Sequence, residues 1–171
     1  VETLVDDLRL TFDNLRAYDI KLNPEKCVFG VPAGNLLGFI VFGRGIEANL
    51  AKIRALSQLD IPKDLKQIQK LTGCVAALSR FISRLGEKAL PLYRLLRRTE
   101  HFEWTDAATA GLEEIKAILA TNPVLAGPNL GEPMLLYIAA THQVVSAVLV
   151  VERETEGHKF PLLKPVYYVS T

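Results

Sequence analysis

The stretch from Asp64 to Arg84 most constrains what this chain can fold into. At about 100° per residue, Leu65, Ile68, Leu71, Thr72, Val75, Leu78 and Ile82 share one broad arc of a helix. Lys66, Gln69, Lys70, Gly73, Ala77, Arg80 and Arg84 fall in the opposite arc. The first arc must be buried against other elements. The second combines cations with small residues that leave the backbone approachable. A glycine inside a helix costs about 1 kcal/mol relative to alanine, so Gly73 needs a reason. Close approach of a nucleic-acid backbone is one: small residues admit the sugar, Gln bonds groove edges, and Lys and Arg neutralise phosphates. Close packing against another helix is the rival reading.

Charge sharpens the question. The chain has 20 Lys+Arg and 19 Asp+Glu, a net +1 that conceals a polarity. Lys52 to Arg98 holds eleven basic and three acidic residues, a net +8, whereas the residues from His101 onward sum to −4. A basic middle suggests a segment facing a polyanion; a solvated helix surface with a chance excess of Lys and Arg is the plain alternative.

A length of 171 residues suits one domain or two small lobes. With 49% apolar and 23% charged residues, a disordered or collagen-like chain is excluded. No apolar run approaches the ~18–20 residues of a membrane span. The opening V-E-T-L-V-D-D-L is acidic, so no signal peptide is expected, and an intracellular location, cytoplasm or nucleus, is. Cys27 and Cys74 have no C-x-x-C spacing and no His cluster nearby. They read as reduced, buried thiols, not zinc ligands.

Leu4, Leu8, Phe12, Leu15 and Tyr18 mark a helix over 3–18. Cys27–Val31 and Leu36–Phe42 read as a hairpin around a turn at Pro32–Asn35, with a tight turn at Gly43-Arg44-Gly45. Asn49 can cap a short helix and Asp64 the two-faced one. A further helix is expected over 90–98 with Pro91 in its first turn, and another from Thr105 or Asp106. Residues 122–133 read as a loop. Met134–Ala139, Val144–Val151 and Pro165–Ser170 read as a three-stranded antiparallel meander.

Several ordered blocks together carry a resemblance. Leu22-Asn23-Pro24-Glu25-Lys26-Cys27-Val28-Phe29, then Leu36-Leu37-Gly38-Phe39-Ile40-Val41, then Gly45-Ile46-Glu47-Ala48-Asn49 and Lys52-Ile53 resemble the reverse transcriptase of gypsy-type LTR retrotransposons. Phe102-Glu103-Trp104, the 112–119 helix and Pro123-Val124-Leu125 resemble its link into the RNase H region. The last three strands resemble the opening of that RNase H-like domain in plant elements. The resemblance covers essentially the whole chain.

It implies an α+β fragment: residues 1–48 as the end of the polymerase palm with a closing hairpin, 49–100 as a helical thumb, and 101–171 as a linker helix with a truncated, connection-type RNase H-like domain. Leu36, Leu37, Gly38 and Phe39 match the primer grip. Ile68-Gln69-Lys70-Leu71-Thr72-Gly73 is similar to the thumb motif whose Gln and Gly track the duplex minor groove, so Gln69 and Gly73 inherit that role. Retroviral members carry an aromatic one turn later; here it is Ala77.

Catalytic parts are expected to be missing. The polymerase needs a Y-x-D-D turn and an upstream Asp for two metals, and no Y-x-D-D occurs. Asp6-Asp7 lies within a helical pattern and matches exposed acidic positions of the family. The first-strand Asp of RNase H is matched by Ala139. His142 reads as an exposed turn residue and Trp104 as a core anchor. No catalytic residue, metal ligand or cofactor is expected, magnesium belonging only to an intact polymerase. The expected partner is a nucleic-acid duplex, gripped without base specificity through Lys66, Gln69, Lys70, Gly73, Arg80 and Arg84, alongside the missing palm and fingers or another protein, and no membrane. The alternative is an element-derived host protein that binds proteins through its apolar strands and open sheet edge.

Overall fold

The computed structural model describes residues 2–36, 38–97, 102–155 and 157–171. The chain divides into two compact units, one ending at Pro32 and one starting at Ala33.

In the first unit, α1 (Glu2–Ala17) follows the apolar stripe seen in sequence. Leu8, Phe12 and Leu15 are its half-buried positions. The Phe12 and Phe29 rings meet edge-on at 6.1 Å. Asn23 caps a short 3-10 turn, Pro24–Lys26, by accepting the Glu25 N–H at 3.0 Å. The expected strand over 27–31 does not form; this stretch is irregular and carries Gly30 at φ +65°.

The second unit begins with the hairpin, shifted along the sequence. Strands β1 (Ala33–Leu36), β2 (Phe39–Phe42), β3 (Gly45–Ala48) and β4 (Val124–Ala126) form one antiparallel sheet in that order. The expected turn residues Ala33-Gly34-Asn35 are therefore strand, and the reversal falls between Leu36 and Phe39. Gly43-Arg44 turns the chain again, as expected. β4 lies in the stretch read as a loop. It pairs with β3 because Gly45, at φ +145°, lacks the Cβ that would collide with the Leu125 carbonyl.

Caps then set the helices. The Asn49 side chain accepts from Ala51 N–H at 2.8 Å and opens α2 (Leu50–Ser57). Asp64 accepts from Gln67 N–H at 2.8 Å and opens α3 (Leu65–Ala76). Thr105 accepts from Ala108 N–H at 3.2 Å and opens α5 (Asp106–Ala120). The single helix expected over 64–84 is broken: α3 ends at Ala76, a 3-10 turn spans Ser79–Phe81, and α4 (Leu85–Arg94) follows. α4 starts before the expected residue 90, so Pro91 lies inside it and leaves the Glu87 carbonyl without its helical donor.

One core joins these elements. Ile53 and Leu56 of α2, Ile68, Leu71 and Val75 of α3, Leu92 of α4, Leu112, Ile115 and Leu119 of α5 and Leu125 of β4 are all buried. Leu78, Phe81 and Ile82 join them from the 3-10 segment. α4 and α5 pack closely because Gly111 faces the Lys88 carbonyl, where a Cβ would clash.

The meander forms as expected: β5 (Met134–Ala140), β6 (Val145–Arg153) and β7 (Leu162–Ser170) pair in order, with an irregularity at Leu149/Val150. It is tied to the helices where Gly86 N–H donates to Ser170 Oγ at 2.8 Å. It is also tied to the segment between β4 and β5 by Arg153, which donates to both Glu132 carboxylate oxygens at 2.9 and 2.7 Å and to the Gly127 carbonyl at 2.7 Å. The Arg153 hydrogen bond, helped by the Asn129 N–H, lowers the Glu132 pKa to about 2.

Two outcomes follow from these contacts. Gly111→Ala is expected to destabilise the fold by about 1–3 kcal/mol, read from urea denaturation, because the new methyl overpacks α4 against α5. Glu132 is depressed in the folded state, so its contribution is present above its ordinary value of 4.5 and disappears as pH falls towards about 2. Glu132→Gln should therefore flatten the acid limb of stability against pH across that window, measured by thermal melts.

Candidate nucleic-acid interface

The buried arc of α3 dictates its outer face. With Ile68, Leu71, Thr72 and Val75 buried, Lys66, Gln69, Lys70 and Gly73 are exposed. Among the described residues no carboxylate lies within 4 Å of either lysine's nitrogen. Among the described residues, nothing beyond α3's own backbone and Gly73's chain neighbours lies within 4 Å of the place where a Gly73 Cβ would stand. Gly73 therefore differs from Gly111, whose Cβ position is filled by a neighbouring helix. Ala77, at the C-terminal cap of α3, is exposed as well.

Arg80 and Arg84 do not continue this face, because the helix ends before them. Arg80 lies in the 3-10 turn, half-buried, with its guanidinium carbon 4.3 Å from the Phe39 ring centre and 5.6 Å from that of Tyr167. Arg84 precedes α4 at φ +53°, a left-handed conformation unusual for arginine. Its guanidinium is paired with Glu87. That hydrogen bond raises the Arg84 pKa and lowers that of Glu87, so the charge of Arg84 is offset locally.

At the hairpin, Leu36 ends β1 exposed, Gly38 turns at φ +82°, and half-buried Phe39 opens β2. Leu37 lies outside the described residues. The Phe39 ring packs on that of Phe81 at 5.8 Å. A residue the sequence reading did not single out joins it: Lys52 of α2, whose Nζ is 5.5 Å from the Phe39 ring centre. Its position three residues after the Asn49 cap carries no signal of this, since the contact joins a helix to a strand turn.

The other residues weighed in sequence have ordinary places. Asp6 pairs with Arg9 at 3.2 Å on exposed α1. Ala139 and His142 are exposed on and after β5. Trp104 is half-buried against the core and donates its Nε1–H to Thr109 at 2.8 Å. Cys27 and Cys74 are free, but half-buried where full burial was expected. Among the described residues, no group of three or more His, Cys, Asp or Glu is placed to hold a metal, and no helix is long and apolar enough to cross a membrane.

The openness of Gly73 has a measurable consequence. Gly73→Ala should raise stability by about 0.5–1 kcal/mol in chemical denaturation, since it adds helix propensity without meeting a neighbour.

Comparison with known proteins places these features. No protein-family model matches the sequence. The chain is 28% identical over 171 residues to the retrovirus-related Pol polyprotein from transposon 297 of Drosophila melanogaster, a match covering 97% of this chain and 15% of that protein. It is 26% identical over 166 residues to the transposon Tf2-3 polyprotein of Schizosaccharomyces pombe, covering 97% of this chain and 12% of the polyprotein. It is also 32% identical over 115 residues to an uncharacterised mitochondrial protein of Arabidopsis thaliana, covering 66% of this chain and 72% of that protein. The chain thus spans only about a seventh of the Drosophila polyprotein. Among solved structures, the foamy viral protease-reverse transcriptase in complex with an RNA/DNA hybrid matches 100% of this chain and 22% of its own, at a TM-score of 0.75 and 20% identity. The same enzyme with double-stranded DNA matches 85% of this chain and 29% of its own, at 0.66 and 22%. A mixed helix-and-strand fold shared with that enzyme, and sequence identity spread over nearly the whole length of this chain, lead to one conclusion: its homologues are retrotransposon Pol polyproteins.

Proposed function

We propose that this chain is a non-catalytic piece of a gypsy-type reverse transcriptase that grips a primer–template duplex, RNA–DNA or DNA, without reading its bases. The exposed α3 face carries the reading. Lys66 and Lys70 stand one turn apart without a carboxylate partner among the described residues, Gln69 lies between them, and Gly73 leaves the backbone open. Cations there neutralise phosphates, and a side-chain amide with a bare backbone suits a groove whose shape matters more than its sequence. The structures of the foamy viral enzyme with duplexes agree with this role for the fold.

The gripping segment corresponds to a polymerase thumb, and the meander to the start of an RNase H-like domain. Alone, the chain adds no nucleotide and cleaves no RNA. It carries no Y-x-D-D, and Ala139 stands where the first RNase H carboxylate would be. Magnesium then matters only to an intact polymerase.

Binding of a labelled RNA–DNA hybrid, followed by anisotropy over a salt series, tests the proposal. Affinity should fall steeply with salt. Lys66→Glu with Lys70→Glu should abolish binding while leaving the denaturation midpoint nearly unchanged. Binding indifferent to salt and to both substitutions would refute it. A second reading, docking of a protein on the meander, is favoured by β5, where Leu136 is 60% and Ile138 66% exposed. An apolar interface of that kind would be insensitive to both lysine changes.

A further inference from the structure

Three cations from three elements border one cavity of the second unit. The cavity, of about 350 Å³, is lined by Arg44, Val124, Ala126, Arg153 and Lys164. Arg44 lies in the β2–β3 turn, Arg153 ends β6 and Lys164 lies in β7, while Val124 and Ala126 supply an apolar wall from β4. Register brings the two meander cations together. Arg153 pairs with Leu162 and Val151 with Lys164, so Arg153 and Lys164 are diagonal neighbours on one face of the β6–β7 ladder.

The three are held differently. The Glu132 carboxylate and the Gly127 carbonyl accept from Arg153 Nε and Nη2, which fixes the guanidinium. Its Nη1 group has no acceptor among the described residues. Arg44 uses one nitrogen on Glu47, at 2.7 Å, and lies 4.6 Å from the Phe42 ring centre. Lys164 is half-buried, and among the described residues no carboxylate lies within 4 Å of its nitrogen and no acceptor takes its protons. An unmatched ammonium beside spare guanidinium donors, all bordering one hollow, is an arrangement that an anion completes.

We propose that this cavity binds a phosphoryl group of a small ligand, with Lys164 and Arg153 as the main contacts and Arg44 as the third. The site is separate from the α3 face and does not depend on the duplex-gripping reading. A phosphoryl group presents three terminal oxygens to the three donors, whereas a carboxylate presents two. A hollow of about 350 Å³ suits a discrete molecule. The surroundings also disfavour a long polyanion. Glu47 and Glu132 already offset the two arginines, and the residues from His101 onward sum to −4.

Calorimetric titration of the full chain with sodium pyrophosphate at fixed ionic strength tests the site. Binding should saturate, and NMR should place the shifts at Arg153 Nε–H and at the amides of Val124, Ala126 and Lys164. Lys164→Gln should weaken binding about tenfold, the loss of one charge-assisted hydrogen bond, and Lys164→Arg should largely retain it. Arg44→Gln, on an exposed turn where no folding defect is expected, should weaken it about threefold. Lys66→Glu with Lys70→Glu should bind pyrophosphate as the unmodified chain does. An absence of saturable binding, or unchanged affinity in both the Lys164→Gln and Arg44→Gln variants, would overturn the site. An equal response to acetate would overturn the phosphoryl assignment. Displacement of pyrophosphate by an RNA–DNA hybrid in the Lys66/Lys70 variant would put a strand in the cavity and overturn the small ligand.

Discussion

The burial of Ile68, Leu71 and Val75 governs the rest of the molecule. These side chains are fully enclosed, and with Leu56, Ile115, Leu119 and Leu125 they leave α3 one orientation. Shifting the helix by one position in either direction would put a glutamine, Gln67 or Gln69, in the place of Ile68 in a packed, apolar interior, at a cost of about 1–3 kcal/mol or more. The exposed line of Lys66, Gln69, Lys70 and Gly73 is thus a consequence of core packing. Lysines one turn apart repel each other by a few tenths of a kcal/mol, and the surrounding fold is what holds them in place.

Three helical glycines show how one residue type serves different constraints. Gly111 is needed because the Lys88 carbonyl occupies the place of its Cβ. Gly86 is needed because Ser170 Oγ and Val144 Cγ1 would each stand 2.7 Å from its Cβ. Gly73 lies in the middle of α3 and meets nothing. The first two are explained by packing inside the chain. Gly73 has no such neighbour among the described residues, so packing against another helix of this chain does not account for it.

Much of this architecture was legible in sequence because it depends on local signals. The caps Asn49, Asp64 and Thr105, the apolar stripe of α1 and the β-rich runs of the meander are read within a few residues of themselves. The misreadings share a different cause. Val28, Phe29 and Val31 have β-favouring side chains, yet the strand that pairs with β2 is Ala33–Leu36, fixed by register with Phe39–Phe42. β4 exists through a partner nearly eighty positions earlier in sequence, across a glycine that permits the approach. The periodicity of Leu78 and Ile82 imitates a continuing α-helix, because a 3-10 turn delivered both residues to the same core.

That break in the helix redistributes the candidate site. On an unbroken wheel, Arg80 and Arg84 would have lengthened a single row of cations. In the folded chain, Arg84 is turned into a left-handed conformation and matched with Glu87, and Arg80 is laid over Phe39. Leu78, Phe81 and Ile82 anchor the intervening segment in the core, which fixes where Arg80 begins. Charge that sequence alone would place along one helix is thus divided between two surfaces. A duplex is a two-stranded polyanion, and phosphate contacts set its register on a protein. The grip proposed above would meet such a polyanion with cations on an α-helix and beside a strand turn, and not with one continuous row.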